Sequence, residues 1–152
     1  MHHDPLFSPL RLGQLHLPNR IAMPPMTRSR ASQPGDVANA MMATYYAQRA
    51  GAGLIISEGT QIDPLGKGYA WTPGIHSAEQ VAGWKQVTDA VNAEGGIMFA
   101  QLWHVGRVTH PDNIGGAQPL SSSAIQAKGV KVFVDNGQPV QFGERLFAIR
   151  RA

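Results

Sequence analysis

Short apolar runs alternate with longer stretches of helical periodicity along this chain, and the alternation limits the folds open to it. Three apolar runs, 21–23, 54–57 and 97–102, are short enough to be buried strands. Residues 39–50 and 77–94 lie between them and carry apolar residues at helical spacings. Such alternation is typical of parallel βα units. We therefore predict an α/β fold in which strand, helix, strand, helix and strand follow one another.

The second helical stretch has the clearest local signal. Ser77 is a good N-cap, and Gln80 completes a capping box. One apolar stripe predicts its buried face: Val81, Trp84, Val87 and Val91. In the first helical stretch, we expect Met41 and Met42 both to pack in the core.

Two further hairpins are indicated outside this alternation. Residues 10–17 alternate apolar and polar side chains around Gly13, as in a small hairpin. From residue 106 onward the chain is rich in loops, and residues 130–134 are predicted to form a strand. Residues 135–137, Asp-Asn-Gly, are a turn signal that follows this strand.

Composition excludes several classes of site and partner. Hydrophobic residues make up 43% of the 152 residues and charged residues 15%, as in globular proteins. The chain has no cysteine, so disulfides and thiolate metal sites are excluded within it. No apolar run approaches a membrane span, and residues 1–5 lack the pattern of a secretory signal. We expect a cytoplasmic protein without a membrane partner.

The net charge of +3 arises from one end of the chain. Residues 145–152 contain three arginines and no acidic residue, and the other ten basic residues balance the ten acidic ones. The charge therefore gives no reason to expect nucleic acid binding.

Polar and aromatic side chains follow each predicted strand of the alternation. Segments 24–28, 58–61 and 101–104 supply a hydroxyl, an amide, an indole and a glycine that permits close approach. In parallel barrels, such strand ends collect the functional groups. The set suits a flat polar heterocycle better than a metal ion or a nucleophilic triad. Taken singly, Thr27 is better explained as a turn residue, and Gln101 could equally well bond a backbone group of a loop. Tyr69 and Trp103, taken singly, are more often packing residues.

An ordered series of motifs resembles the Old Yellow Enzyme family, the NADH:flavin oxidoreductases that include N-ethylmaleimide reductase. The match runs from about Leu6 to about Gly143, and the 101–107 motif Gln-Leu-Trp-His-Val-Gly-Arg is its most specific part. The other matching segments are 6–10, 18–21, 23–28, 45–50, 53–58, 68–69 and 73–76.

The resemblance implies the N-terminal part of a TIM (β/α)8 barrel that binds FMN. It places Pro25 and Met26 against the flavin ring, Thr27 near its C4 carbonyl, and Gln101 on its pyrimidine edge. Gly59 would let the second strand approach the flavin closely. Tyr69 and Trp103 would wall the substrate pocket above the ring. We expect Glu58 and Arg107 to be structural, as a buried polar pair, and His104 to be structural as well.

The resemblance also implies a reaction. Members of this family use NADPH or NADH to reduce activated C=C bonds of enones, or nitro compounds. Their substrate-polarising pair, proton donor and flavin phosphate site follow the third strand and its loop, so no catalytic residue is assignable in this chain. Two alternatives stay open: a non-catalytic remnant or interaction protein of the same lineage that binds no flavin, and an unrelated half-barrel of the sugar-phosphate or aldolase type. No lysine follows a predicted strand, which disfavours a Schiff-base aldolase.

The sequence departs from the family pattern at a few places. Pro24 and Gly59 both stand where alanine is common in the family. We assign residues 1–144 to the barrel portion and 145–152 to a divergent basic tail, with a frameshift as the hypothesis for its origin. A half-barrel would leave apolar edges uncovered, so we expect self-association through them.

Overall fold

An antiparallel hairpin precedes the main sheet. The computed structural model describes residues 5–135 and 139–141. Strands β1 (Leu10–Leu12) and β2 (Leu15–Leu17) pair with Leu10 opposite Leu17. Gly13 turns the chain between them with φ of +60°, a conformation that glycine adopts without steric cost. The hairpin predicted at residues 10–17 is therefore confirmed.

Three parallel strands alternate with two helices in the central part of the chain. In chain order these elements are β3 (Ala22–Met23), α1 (Ala40–Ala47), β4 (Leu54–Gln61), α2 (Ala78–Ala93) and β5 (Met98–Trp103). The strand order is β3-β4-β5, with both pairs parallel. Parallel neighbours require crossover connections, which the two helices supply.

Local chemistry explains where each helix begins and ends. The Asn39 side chain caps α1 by accepting a hydrogen bond from the Met42 amide at 3.1 Å. Helix α1 ends before the predicted limit, because the Arg49 and Ala50 amides bond three residues back rather than four. Helix α2 has the predicted capping box.

A hydrophobic core fills the space between the sheet and the two helices. Its buried members are Met23, Ala38, Met42, Tyr46, Ala50, Ile55, Trp84, Val87 and Val91. The predicted faces were wrong at two positions. Val81 on α2 is 52% exposed and Met41 on α1 is 65% exposed. The buried face of α2 includes Gly83 rather than Val81.

Strand β4 extends beyond its predicted end, and residues 58–61 belong to the strand rather than to a loop. A bulge interrupts its pairing with β5 between Ile56 and Gly59. Farther along, β6 (Lys131–Phe133) and β7 (Pro139–Gln141) form an antiparallel hairpin. The turn signal at 135–137 lies mostly outside the described residues, as do 1–4 and the tail at 145–152. Short 3-10 turns lie at Pro5–Phe7, Pro64–Gly66 and Pro111–Ile114.

Among the described residues, neither helix combines the length and the apolar character that crossing a membrane requires.

Candidate functional site

The candidate site centres on the bulge of β4. Residues Ser57 and Glu58 lie between two register pairs, Ile56 with Phe99 and Gly59 with Gln101. The Ser57 hydroxyl replaces the interrupted ladder contact, since it accepts a hydrogen bond from the Gln101 amide at 3.0 Å. It also donates to the Glu58 carbonyl at 2.8 Å. Side-chain hydrogen bonds therefore stabilise the bulge, and bulges are frequent next to functional sites.

Gly59, Gln101 and Trp103 share one face of the sheet. Gly59 is opposite Gln101, and Trp103 follows Gln101 by two residues, which returns it to the same face. The indole of Trp103 packs directly on Gly59. A Cβ at residue 59 would lie 2.5 Å from the indole Cδ2 and Cε3 atoms. The missing side chain at Gly59 is therefore required by Trp103 itself.

Thr27 lies on the wall of a cavity of about 600 Å³. Tyr69 lines the same cavity. The Tyr69 ring also approaches the Trp103 indole, with ring centroids 6.1 Å apart and planes tilted by 40°. Thr27, Tyr69, Trp103, Gly59 and Gln101 therefore form one connected series across the carboxyl ends of β3, β4 and β5.

Pro25, Met26, Thr27 and Gln101 are all exposed. The exposed fraction of Met26 is 38%. Among residues 5–135 and 139–141, the Thr27 hydroxyl and the Gln101 side-chain amide have no hydrogen-bond partner. The indole N–H of Trp103 is buried and also lacks an acceptor within this part of the chain. The Thr27 hydroxyl and the Gln101 side-chain amide are therefore available to a ligand, whereas the Trp103 N–H is an unpaired buried donor.

The Glu58 carboxyl is buried on the opposite side of β4, against α1. Its Oε2 accepts a hydrogen bond from the Arg28 amide at 3.0 Å, and its Oε1 accepts one from the Tyr46 hydroxyl at 3.3 Å. Burial raises the pKa of Glu58 above its ordinary value, although the hydrogen bonds from Arg28 and Tyr46 lower it. Burial and the neighbouring Glu58 charge also raise the pKa of the Tyr46 phenol.

The expected pairing of Glu58 with Arg107 is wrong. The Arg107 guanidinium instead donates to the Ile125 carbonyl at 2.8 Å and to the Ser123 hydroxyl at 3.1 Å. It therefore fastens the loop that follows β5, far along the chain from β4.

Several residues that line the cavity with Thr27 and Tyr69 are absent from the sequence prediction. They are Ser29, Arg30, Ala70, Trp71, Phe133 and Val134. The Ala31 amide donates to the Trp71 carbonyl, and the Ala70 amide donates to the Phe133 carbonyl. These bonds bring three distant segments together. The sequence offered one signal of this cavity wall, an aromatic residue, Trp71, two positions after Tyr69.

Metal binding finds no support in the described residues, since no three His, Cys, Asp or Glu side chains are clustered there. The His104 ring accepts a hydrogen bond from the Gly106 amide at 3.1 Å, which is a local structural role.

Comparison with known proteins places this arrangement in a well-populated group. Residues 5–141 match the model of the NADH:flavin oxidoreductase / NADH oxidase family. A flavin oxidoreductase of Emericella nidulans is 45% identical over 83% of this chain, and 12-oxophytodienoate reductase 7 of Oryza sativa is 50% identical over 78%.

Solved structures agree in both fold and sequence. Morphinone reductase in complex with tetrahydroNAD has a TM-score of 0.85 and 48% identity over 95% of this chain. The Old Yellow Enzyme homologue from Zymomonas mobilis has a TM-score of 0.85 and 44% identity over 97%. The chain spans 34% and 30% of the two curated relatives and 40% of each of these structures, so it corresponds to part of a barrel.

Proposed function

Because this chain belongs to the NADH:flavin oxidoreductase / NADH oxidase family of Old Yellow Enzyme homologues, we propose that it forms the ring-binding part of an FMN-dependent ene-reductase. The family uses FMN with a nicotinamide reductant. The proposed substrates are activated C=C bonds of enones, or nitro compounds. The supporting observation is the connected series from Thr27 to Gln101, with an unpartnered hydroxyl after β3 and an unpartnered amide on β5, the two strands that flank β4.

The residues present fit the ring of FMN. When bound, FMN would supply the hydride chemistry between NADH or NADPH and the substrate. The Thr27 hydroxyl would donate to a carbonyl oxygen at the ring edge. The Gln101 amide would both donate and accept on the pyrimidine edge, which a single amide can do. Pro25 and Met26 would lie against the ring.

The substrate pocket is proposed above the ring. Tyr69 and Trp103 would form its aromatic wall, and their mutual contact fixes the spacing between them. Gly59 lets the Trp103 indole lie directly against β4. None of these residues supplies a proton or polarises a carbonyl, so the chemical step requires groups beyond this series.

Two hydrogen bonds of roughly 0.5–1.5 kcal/mol each anchor a ring weakly. We therefore propose that residues 1–144, as the first part of a barrel, bind FMN weakly by themselves and turn over little or no substrate. Phosphate contacts, which are charge-assisted and stronger, would have to come from the rest of a barrel.

The test is a titration at equilibrium, in which the visible spectrum of FMN is recorded with increasing concentrations of the purified chain. A saturable shift of the flavin band that weakens in Thr27→Ala and Gln101→Ala supports the proposal. Thr88→Ala and Gln86→Ala are matched controls, because among the described residues the Thr88 hydroxyl bonds only the Lys85 carbonyl and Gln86 is exposed on α2. A flavin spectrum that stays unchanged at every protein concentration supports a remnant without flavin. Adding the complementary part of a relative and following NADPH oxidation with cyclohexenone tests the activity.

We also propose self-association through β5. In the described residues β5 pairs with β4 alone, and Phe99 and Leu102, on its opposite faces, are 48% and 60% exposed. Light scattering on the purified chain tests this, and a stable monomer at all concentrations would contradict it.

A further inference from the structure

A buried carboxylate connects helix α1 to the loop that carries Thr27. Glu58 is fully buried in the β4 bulge, and its two carboxyl oxygens contact different elements. One oxygen accepts from the Arg28 amide, which is the residue directly after Thr27. The other accepts from the Tyr46 hydroxyl on α1. Neither contact is used by the proposed hydride chemistry.

Tyr46 holds this carboxyl in one orientation. Its hydroxyl accepts a hydrogen bond from the Glu58 backbone N–H at 2.8 Å while it donates to the Glu58 side chain. The phenol therefore bonds both the backbone and the carboxyl of the same residue. Because Tyr46 is itself fully buried in the core, the carboxyl has little freedom to turn.

The loop at the other end of this connection has an unfavourable backbone conformation. Ser29 has φ of +51°, in the left-handed region that residues with a side chain seldom adopt. The Arg28 amide, directly before Ser29, donates to the Glu58 carboxyl, and the Ser29 amide lies close enough to lower the pKa of that carboxyl. The carboxyl therefore stabilises this turn, and non-glycine residues keep such conformations only where their surroundings impose them.

Within the part of the chain that the structure describes, few charged or titratable groups face Glu58. Tyr46 faces it from α1, and Arg28 faces it from the loop. The Arg28 guanidinium lies over the Tyr45 ring, 5.2 Å from the ring centroid, rather than on the carboxyl. The carboxyl therefore meets the loop through backbone amides, which fix the path of the chain.

We propose that Glu58 is a positioning residue whose carboxyl holds the Arg28–Ser29 turn and thereby sets Thr27 on the wall of the cavity. The inference rests on the proposed function only in taking Thr27 as a flavin contact. Glu58 itself touches no substrate or cofactor.

The direct test is amide hydrogen exchange, followed by NMR on the flavin-free chain. Glu58→Leu removes both acceptors, and Arg28 protection should fall by at least about tenfold, as expected for the loss of a hydrogen bond to a charged acceptor. The Ile55 amide, bonded to the Ile97 carbonyl, should keep its protection within about twofold. Glu58→Gln keeps one acceptor oxygen and should restore most of the Arg28 protection. Glu79→Leu is the matched control, since Glu79 is exposed on α2.

Two results would overturn the inference. One is unchanged Arg28 protection in Glu58→Leu, and the other is a parallel loss at Arg28 and Ile55, which indicates a general loosening of the fold. If Glu58→Leu does not fold, an acid titration of the unaltered protein by NMR replaces it. The chemical shifts of the Arg28 amide proton and of the Glu58 carboxyl carbon should then change with the same midpoint pH, and different midpoints would reject the contact.

An FMN titration separates this inference from the proposed function. If the chain binds FMN, the dissociation constant should rise in Glu58→Leu but not in Glu79→Leu. A chain that binds no FMN while Arg28 protection still depends on Glu58 would reject the proposed function alone.

Discussion

Adding one methyl group at Gly59 should move Trp103 and destabilise the protein. The Cβ of Gly59→Ala would lie 2.5 Å from two indole atoms and 2.8 Å from a third. Carbon atoms in favourable contact are about 3.5–4.0 Å apart, so the ring must retreat by about 1 Å. Because the indole is rigid, the whole ring must move, and no flexible side chain can bend to absorb the displacement. The indole N–H is also buried, without an acceptor among the described residues.

The expected cost is about 1–3 kcal/mol, the usual range for overpacking a filled space. A Gly→Ala change also restricts the unfolded chain, which stabilises by about 0.4–1 kcal/mol where the backbone permits it. Gly51→Ala isolates that second effect, because no atom lies within 4 Å of its added Cβ. The difference between the two variants therefore measures the clash.

Urea unfolding followed by far-UV circular dichroism gives the two free energies, and tryptophan emission reports the displaced indole. We expect Gly59→Ala to be less stable than Gly51→Ala by about 1–3 kcal/mol, with altered emission. Equal stabilities together with unchanged emission would show that Trp103 does not pack on Gly59, and the reasoning would fail.

Three further perturbations follow from buried or capped polar groups, each measured by urea unfolding. Lys67→Met leaves the half-buried Asp36 carboxylate without its cation, 2.9 Å away, although Gln33 and Gln61 still donate to it, and should cost about 1–3 kcal/mol. Lys85→Met at an exposed pair should cost less than about 1 kcal/mol, and equal losses would contradict this. Ser77→Ala removes the cap of α2 and should cost about 1 kcal/mol, and no loss would refute the role of the cap. Burial raises the pKa of Glu58, so folding favours the neutral form of its carboxyl. The contribution of Glu58 to stability is therefore greatest below pH 4.5, its ordinary pKa, and is lost as pH rises through the folded-state pKa. Glu58→Gln should abolish that slope, and an identical slope in the variant would assign it to another group.

Local signals in the sequence predicted the frame of this fold. The Ser77 capping box depends on residues three apart, and the alternation of apolar runs and helices depends on neighbours within one element. Such patterns can be found without knowing what packs against them. Val81 was assigned wrongly because helical spacing alone cannot tell how wide the covered stripe is.

The contacts that shape the candidate site join residues far apart in the chain. Glu58 meets the amide of Arg28, thirty residues earlier, through a backbone group that is the same in every residue type. Its expected partner, Arg107, had the complementary charge but the wrong position. The sequence gives no sign of what glycine does at residue 59, and only the position of Trp103 shows that an alanine there would collide.

The extra residue in β4 changes which side of the sheet the later residues of the strand face. Ile55 points to the helices, and strict two-residue alternation would send Gly59 there as well. The insertion at Ser57–Glu58 shifts the later residues by half a period, so one continuous strand contributes Ile55 to the core and Gly59 to the opposite side. Deleting Ser57 or Glu58 would remove the one extra residue and reverse the faces of the rest of the strand. Gly59 and Gln61 would then face α1 and α2, and Thr60 would take the place beside the indole.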